Sequence, residues 1–515
     1  MKKNSGASYL FNYRYSTMGL IKEVFPAEIK DFLPVYQDLC FKINIPTEKT
    51  GVFSIWGLAA DDIQITHAVE DSSLWGNPFN RQEFNFSQRM GALGMNHRLI
   101  IKGNAYLNTS VAFSGDQRSM EGGILGDDLK RYDKEYTKAR NYKLTISSVF
   151  NKKFSARHVN RSGIILDKLH YNTVLKYAQD YEVGLLNIAD EKDATNMLQL
   201  FSQSKISLTE KFTVNAGLHG QYFELNDEFV IEPRLGFSYK VGKRQSVGIA
   251  YGNHSRLEPL QLYFTNVNDG FSITQPNKDL NVSKSHHLVV SYDISINPNL
   301  RLKIEPYVQF LYDIPVIPDS SFSMLNMEAD WYFNKKLINT GTGKNMGVDF
   351  TLERFLKDGY YYLVTASLFD SKYTGDDGIE RNTRFNTNYV FNVLFGKEWT
   401  LGSQKNKILG VNARVNYLGG KRTSPIDISQ SRLAESVVYD YSKLYEDRES
   451  NSSFVSATIN YQVNKKKHTG IWSLQVSNLL ASKENYGLYY NSKTKNVEAW
   501  EFTVVIPNLS YKIEF

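Results

Sequence analysis

Period-two alternation of apolar and polar residues, in runs of about ten and repeated from one end of the chain to the other, is the feature that most restricts what this sequence can form. Leu39, Phe41, Ile43 and Ile45 fall on one face while Lys42 and Asn44 fall on the other. Leu302, Ile304, Val308 and Phe310 oppose Arg301, Lys303, Glu305 and Gln309, and Val411, Ala413, Val415 and Tyr417 oppose Asn412, Arg414 and Asn416. The same holds for Val455, Ala457, Ile459, Tyr461 and Val463 against Ser456, Thr458, Asn460 and Gln462. Each run reads as a strand with one greasy and one wet face.

Soluble sandwiches alternate too, so the connections must decide. Short polar turns are expected at 47–49, 151–153, 209–211, 242–244, 297–299, 357–359 and 464–467. Between them lie long polar excursions at 61–83, 116–138, 176–194, 254–282, 313–343, 373–384, 418–452 and 481–497. Tight turns at one end and large loops at the other are the habit of membrane barrels. The reading is therefore all-β: one large antiparallel transmembrane β-barrel over residues 1–515, with about 20 strands, short periplasmic turns and long extracellular loops.

Composition supports this reading and excludes others. Aromatics are 13% of the 515 residues, with 33 Tyr and 30 Phe. Those near strand ends, Tyr13, Tyr15, Tyr360, Tyr361, Tyr362, Trp399, Tyr461, Trp472, Tyr489 and Tyr490, suit the interfacial girdles of a barrel. No run of about 18 apolar residues exists to make a membrane helix. The 60 basic and 54 acidic residues leave a net charge of only +6, mixed along the chain, so nucleic acid is not expected as a partner. Cys40 is the only cysteine, which excludes an intramolecular disulfide.

At the carboxyl end Leu509, Tyr511, Ile513 and Phe515 share one face, against Ser510, Lys512 and Glu514. A strand closing on an aromatic residue resembles the signal read by the barrel-assembly machinery of the outer membrane. At the amino end Met1-Lys2-Lys3 leads into the chain without the apolar core of a signal peptide, so the start of the gene product is expected upstream.

Several blocks together resemble the barrel of TonB-dependent receptors of the Bacteroidetes type. They are Ser8–Thr17, Glu232–Tyr239, Ala250–Ser255, Leu257–Gln261, Asn339–Gly343, Asn382–Asn386 and the terminal strand. The resemblance implies a 22-stranded barrel in the cell outer membrane, closed by an N-terminal plug and driven by TonB. It further implies that this chain is N-terminally truncated: it would lack the signal peptide, the plug and about two strands, and TonB would act only through that missing region. Outer-membrane lipid and a small-molecule or oligosaccharide ligand are the remaining partners it implies.

No catalytic constellation, cofactor or metal site is nominated by the sequence. His286 and His287 are adjacent on a strand and point to opposite faces, so they cannot chelate one ion together. Asp61-Asp62, Asp127-Asp128 and Asp376-Asp377 lack the spaced ligand set of a calcium loop and read as solvated charge. The glycines of Gly341-Thr342-Gly343 do not open a helix after a strand, so no phosphate cradle is indicated. Lys42, Arg301, Lys303, Glu305, Arg414 and Lys512 should line a polar lumen.

Ligand contact is expected from the loops at 254–282, 313–343 and 418–452, through Tyr263, Phe264 and Phe271, Trp331 and Tyr332, and Tyr439 and Tyr441. The alternative for these rings is to pack the loops against one another. Three functions fit: an uptake receptor for a siderophore-iron complex, a cobalamin or an oligosaccharide; a plug-free passive porin; or a soluble β-rich extracellular binding protein. None of the three is an enzyme.

Overall fold

Alternation with one apolar face demands that every backbone N–H and C=O find a partner across strands, and the chain meets this demand in a single large sheet. The computed structural model describes residues 6–16, 35–268, 270–327 and 333–514. Twenty long strands run in sequence order. The first ten are β1 Ser8–Tyr15, β2 Val35–Thr47, β3 Gly51–Thr66, β4 Gln82–Ile101, β5 Ala105–Leu125, β6 Arg131–Ser155, β7 His158–Tyr177, β8 Leu186–Ser207, β9 Phe212–Phe223 and β10 Glu228–Lys240. The second ten are β11 Gln245–Arg256, β12 Ser283–Asn297, β13 Leu300–Val316, β14 Ile338–Lys357, β15 Tyr360–Thr374, β16 Tyr389–Leu401, β17 Lys407–Leu418, β18 Ser452–Asn464, β19 Thr469–Ser477 and β20 Ile506–Glu514. Each pairs antiparallel with the next, and a three-residue strand, Glu380–Asn382, is added to the outer end of β15. Among the described residues β1 pairs only with β2, and β20 only with β19.

The two faces separate as the alternation requires. Phe113 lies opposite Leu144, Val111 opposite Ile146, Phe237 opposite Ile249 and Tyr251 opposite Leu288, and all of these side chains are exposed. Side chains of the other parity hydrogen-bond across strands: Ser110 to Asn96 at 2.6 Å, Thr145 to Asp167 at 2.6 Å, and Ser367 to Asp349 at 2.6 Å. An exposed apolar face and an internally bonded polar face invert the arrangement of a soluble sandwich and match a barrel in lipid. One cavity is lined both by Ser114, Asp116 and Lys143 on β5 and β6 and by His254, His287 and Gln309 on β11 to β13, so the sheet curls until these walls face each other.

At the tight end the nine connections hold two to five residues each. The turn between β14 and β15 is Asp358-Gly359, with φ of 57° and 78°, and Lys357 pairs directly with Tyr360. Two consecutive positive φ values give the type I′ geometry that follows the twist of the strands. The turn expected at 151–153 lies instead at 156–157, and those three residues continue β6. Turns at 102–104 and 402–406, absent from the sequence reading, complete the set; they are carried by Gly103 and Asn104, and by Gly402 and Lys405, all with positive φ.

The excursion expected at 116–138 is mostly strand, and only 126–130 connects β5 to β6. β5 to β8 hold 20 to 25 residues each, about twice what crosses a bilayer, so their outer halves stand in water. A strand wet on both faces loses its alternation, which is why it read as loop. For the same reason Asp61 and Asp62 lie within β3 rather than in a loop.

Candidate functional site

The structured loops lie over the lumen. Where β11 ends, Pro259 precedes the short helix α1, Leu260–Phe264, whose Leu262, Tyr263 and Phe264 are buried. Leu262 and Tyr263 meet Met197, Phe223, Leu280, Phe333 and Leu337 in an apolar core that joins the 257–282 loop to the 317–337 loop, and Phe264 stacks on Tyr171 of β7 at 6.3 Å. Tyr263 packs edge-on against Phe223 with ring centroids 5.2 Å apart, and Phe322 stacks on Phe333 at 5.2 Å. Burial of Phe223, Leu262 and Phe264 stabilises this roof by roughly 1.5–3 kcal/mol each.

Polar bonds lock the same loops together. The fully buried Asn277 donates to the Lys335 carbonyl at 3.0 Å and accepts from the Leu337 N–H at 2.9 Å, spanning the two loops. Thr265 Oγ1 donates to the Phe333 carbonyl at 2.8 Å, and the Asn266 N–H donates to Glu191 on β8 at 2.7 Å. A third loop, 375–388, joins through Asp376, which accepts from Thr340 Oγ1 at 2.6 Å and from the Asp319 N–H at 2.7 Å. These bonds hold the Asp376 carboxyl below the usual range. Burial acts in the opposite sense on Glu258 and raises its carboxyl, although the Ser283 hydroxyl bonds to it. Burial likewise raises the Tyr263 phenol.

Beneath the roof lies a cavity of about 1140 Å³. Its ceiling includes Leu260, Leu262, Met324, Leu325 and Met327, and its walls carry Arg118, Lys143, His170, His254, Arg256 and His287. A bonded polar series runs along the inner wall from β6 to β10. Lys143 pairs with Asp167 at 3.1 Å, Gln199 reaches Asp167 at 3.2 Å, and His219 bridges Gln199 at 3.2 Å and Glu232 at 2.9 Å, where Arg234 closes the series at 2.7 Å. The arrangement can hold a polar solute of small-molecule size, with an apolar surface above it.

The expected ligand aromatics are dispersed. Tyr263 and Phe264 are fully buried and pack the loops, the alternative role the sequence left open for them. Phe271 is fully exposed at the tip of its loop. Tyr439 and Tyr441 lie on the 419–451 loop with ring centroids 6.3 Å apart, the first half-buried and the second exposed. Trp331 and Tyr332 lie outside the described residues, as does Phe515. Leu509, Tyr511 and Ile513 are all exposed along β20, with Tyr511 against Trp472 at 4.4 Å. His286 and His287 do face opposite ways: the first stacks between Tyr251 and Tyr312 on the outside, the second sits beside His254 in the lumen at 4.7 Å.

Of the acidic pairs, Asp61 meets Arg89 at 2.7 Å, Asp127 meets Arg81 at 2.9 Å and Asp377 meets Arg381 at 2.8 Å. The cavity residues Arg118 and Arg256 went unnoticed in the sequence, because the protruding polar stretch around Arg118 hides its strand parity.

Residues 54–479 match the family described as TonB dependent receptor-like, beta-barrel. The chain belongs to the TonB-dependent receptor family. No protein of curated function matches it by sequence. Among solved structures the barrel resembles the outer membrane transporter YddB from Escherichia coli, with TM-score 0.66 and 10% identity over 93% of this chain and 69% of that one. It also resembles the ferric yersiniabactin uptake receptor FyuA from Yersinia pestis, with TM-score 0.64 and 10% identity over 94% and 71% of the two chains. The siderophore receptor PiuA from Acinetobacter baumannii gives TM-score 0.64 and 11% identity over 100% and 77%. At such identities the likeness is one of fold. The TonB-dependent receptor barrel thus accounts for the strand order, the tight end and the loop-covered lumen together.

Proposed function

We propose that this barrel resides in the outer membrane and takes up a scarce small molecule, an iron–siderophore complex first, with a cobalamin or an oligosaccharide as the other candidates. The observation that carries the reading is the cavity of about 1140 Å³ under a roof of three interlocked loops. A pocket of this kind captures one solute, whereas an unobstructed pore passes many. The siderophore receptors among the similar structures make ferric complexes the first ligands to try. We place the contact with TonB in a segment outside these barrel strands, and we keep the Bacteroidetes-type origin as part of the proposal.

The test is a binding titration of the detergent-folded chain with ferric siderophores, cobalamin and oligosaccharides, followed by uptake in cells bearing the gene. Saturable binding of one class, with uptake abolished when the proton-motive force is collapsed, is the expected result. Steady ohmic conductance in planar bilayers with no saturable ligand would instead establish the passive channel, the rival that the polar lumen wall also fits.

A further inference from the structure

On the outward face of β16 and β17, Phe391, Val393 and Phe395 lie beside Tyr417, Val415 and Ala413, and the large apolar members are exposed. Asn392 and Asn416, of the other parity, bond to each other on the lumen side. The apolar stripe ends at the loop side of the barrel in two stacked rings, Tyr389 and Tyr417, with centroids 5.7 Å apart and planes 22° from parallel. Asn451, three residues after Arg448, donates to the Tyr417 hydroxyl at 3.1 Å.

Arg448 is exposed and makes no ion pair among the described residues. In the short ladder Arg422–Thr423 with Asp447–Arg448 it lies directly opposite Arg422. Like charges facing each other across strands repel. Among the described residues the Arg422 guanidinium bonds to uncharged oxygens, the carbonyls of Asn386 at 3.4 Å and Glu446 at 3.1 Å and the Asn388 side chain at 3.4 Å. Asp370, the carboxylate that acts on it, is itself engaged by Asn386 at 2.7 Å. Two guanidinium groups therefore share one edge, and among the described residues no carboxylate is bonded to either.

We infer that Arg448, with Arg422 behind it and the Tyr389–Tyr417 pair and Asn451 at its side, binds the phosphate of a phosphorylated lipid headgroup in the leaflet on the loop side. A guanidinium matches phosphate in a bidentate fork, and a second cation nearby is relieved by the same anion. The occupant is a lipid because the anion site stands at the end of a continuous apolar stripe, which a free ion would leave unused and acyl chains would cover. The inference rests on the outer-membrane placement proposed above.

The test is native mass spectrometry of the full chain folded in a zwitterionic detergent, titrated with a diphosphorylated glycolipid, its dephosphorylated form, and inorganic phosphate. The wild type should retain the phosphorylated lipid about tenfold more tightly than Arg448→Ala, as the loss of one charge-assisted contact implies. Arg432→Ala, which removes a charge from the helix Ile428–Ala434 of the same loop, should bind like the wild type. Equal retention by wild type and Arg448→Ala, with both showing the heat-dependent gel mobility of a folded barrel, overturns the headgroup site and leaves the membrane placement standing. Inorganic phosphate competing as well as the lipid at equal concentration overturns the lipid assignment. A chain that stays monodisperse without detergent and retains no lipid in either form overturns the placement itself.

Discussion

Asn277 shows how much of the roof depends on single polar side chains. Its amide satisfies one donor and one acceptor on the facing loop, the Leu337 N–H buried and the Lys335 carbonyl part-buried. Asn277→Ala leaves the buried Leu337 N–H unpaired and should destabilise the roof by about 1–3 kcal/mol, with a smaller loss at the Lys335 carbonyl, which can turn to water. Hydrogen exchange at the amides of 260–264 and 333–337 should rise to match, with the strands unchanged. Asn277→Asp keeps an acceptor for Leu337 and should fall between the two. Glu258 and Asp376 set opposite pH dependences. Glu258 has a raised carboxyl, so its contribution is full below the ordinary glutamate value of about 4.3 and is lost as pH rises through its folded value. Asp376 has a lowered carboxyl, so its contribution is present above the ordinary aspartate value of about 3.9 and is lost as pH falls through its folded value. Exchange protection of the roof measured against pH should therefore lose its decline above the glutamate range in Glu258→Gln, and its acid-side loss in Asp376→Asn.

Strands and turns were legible where the environment enforces a pattern. β13 and β17 alternate because one face meets lipid and the other the lumen, and their parity could be assigned from residues such as Val308, Phe310, Val411 and Val415. The tight turns with Asp358-Gly359 or Asn297-Pro298-Asn299 announce themselves by residues that adopt turn conformations readily. The roof core was not legible. Phe223, at the end of β9, and Leu262 and Leu337, in two separate connections, meet only once the barrel sets the distance between them, which a single sequence does not encode locally. The lumen series was not legible: Asp167, Gln199, His219 and Glu232 come together only through register across neighbouring strands. At this scale the turn gives a direct test. A Cβ on Gly359 would stand 2.5 Å from the Glu398 carbonyl oxygen, at a φ of 78°. Gly359→Ala should cost about 1–3 kcal/mol and lower the urea midpoint of the folded barrel in micelles, whereas Gly378→Ala, whose Cβ meets nothing within 4 Å, should suffer only its backbone strain.

The whole molecule is a sheet turned inside out relative to a soluble protein, with its apolar side chains on the outer surface and its bonded polar groups within. That inversion is the central claim, and it predicts strict alternation of environment along any mid-barrel strand. On β6, Leu144 and Ile146 are exposed on the apolar face, and Lys143 and Thr145 engage Asp167 on the lumen face. The direct measurement is cysteine scanning of 143–146 in a Cys40→Ser background, with the chain reconstituted in bilayers and each position probed by a water-soluble thiol reagent and by a lipid-borne quencher of a thiol-attached fluorophore. The reagent should label 143 and 145 and spare 144 and 146, and the quencher should show the reverse. Uniform labelling at all four positions, with no quenching at 144 or 146, would contradict a barrel that crosses a membrane.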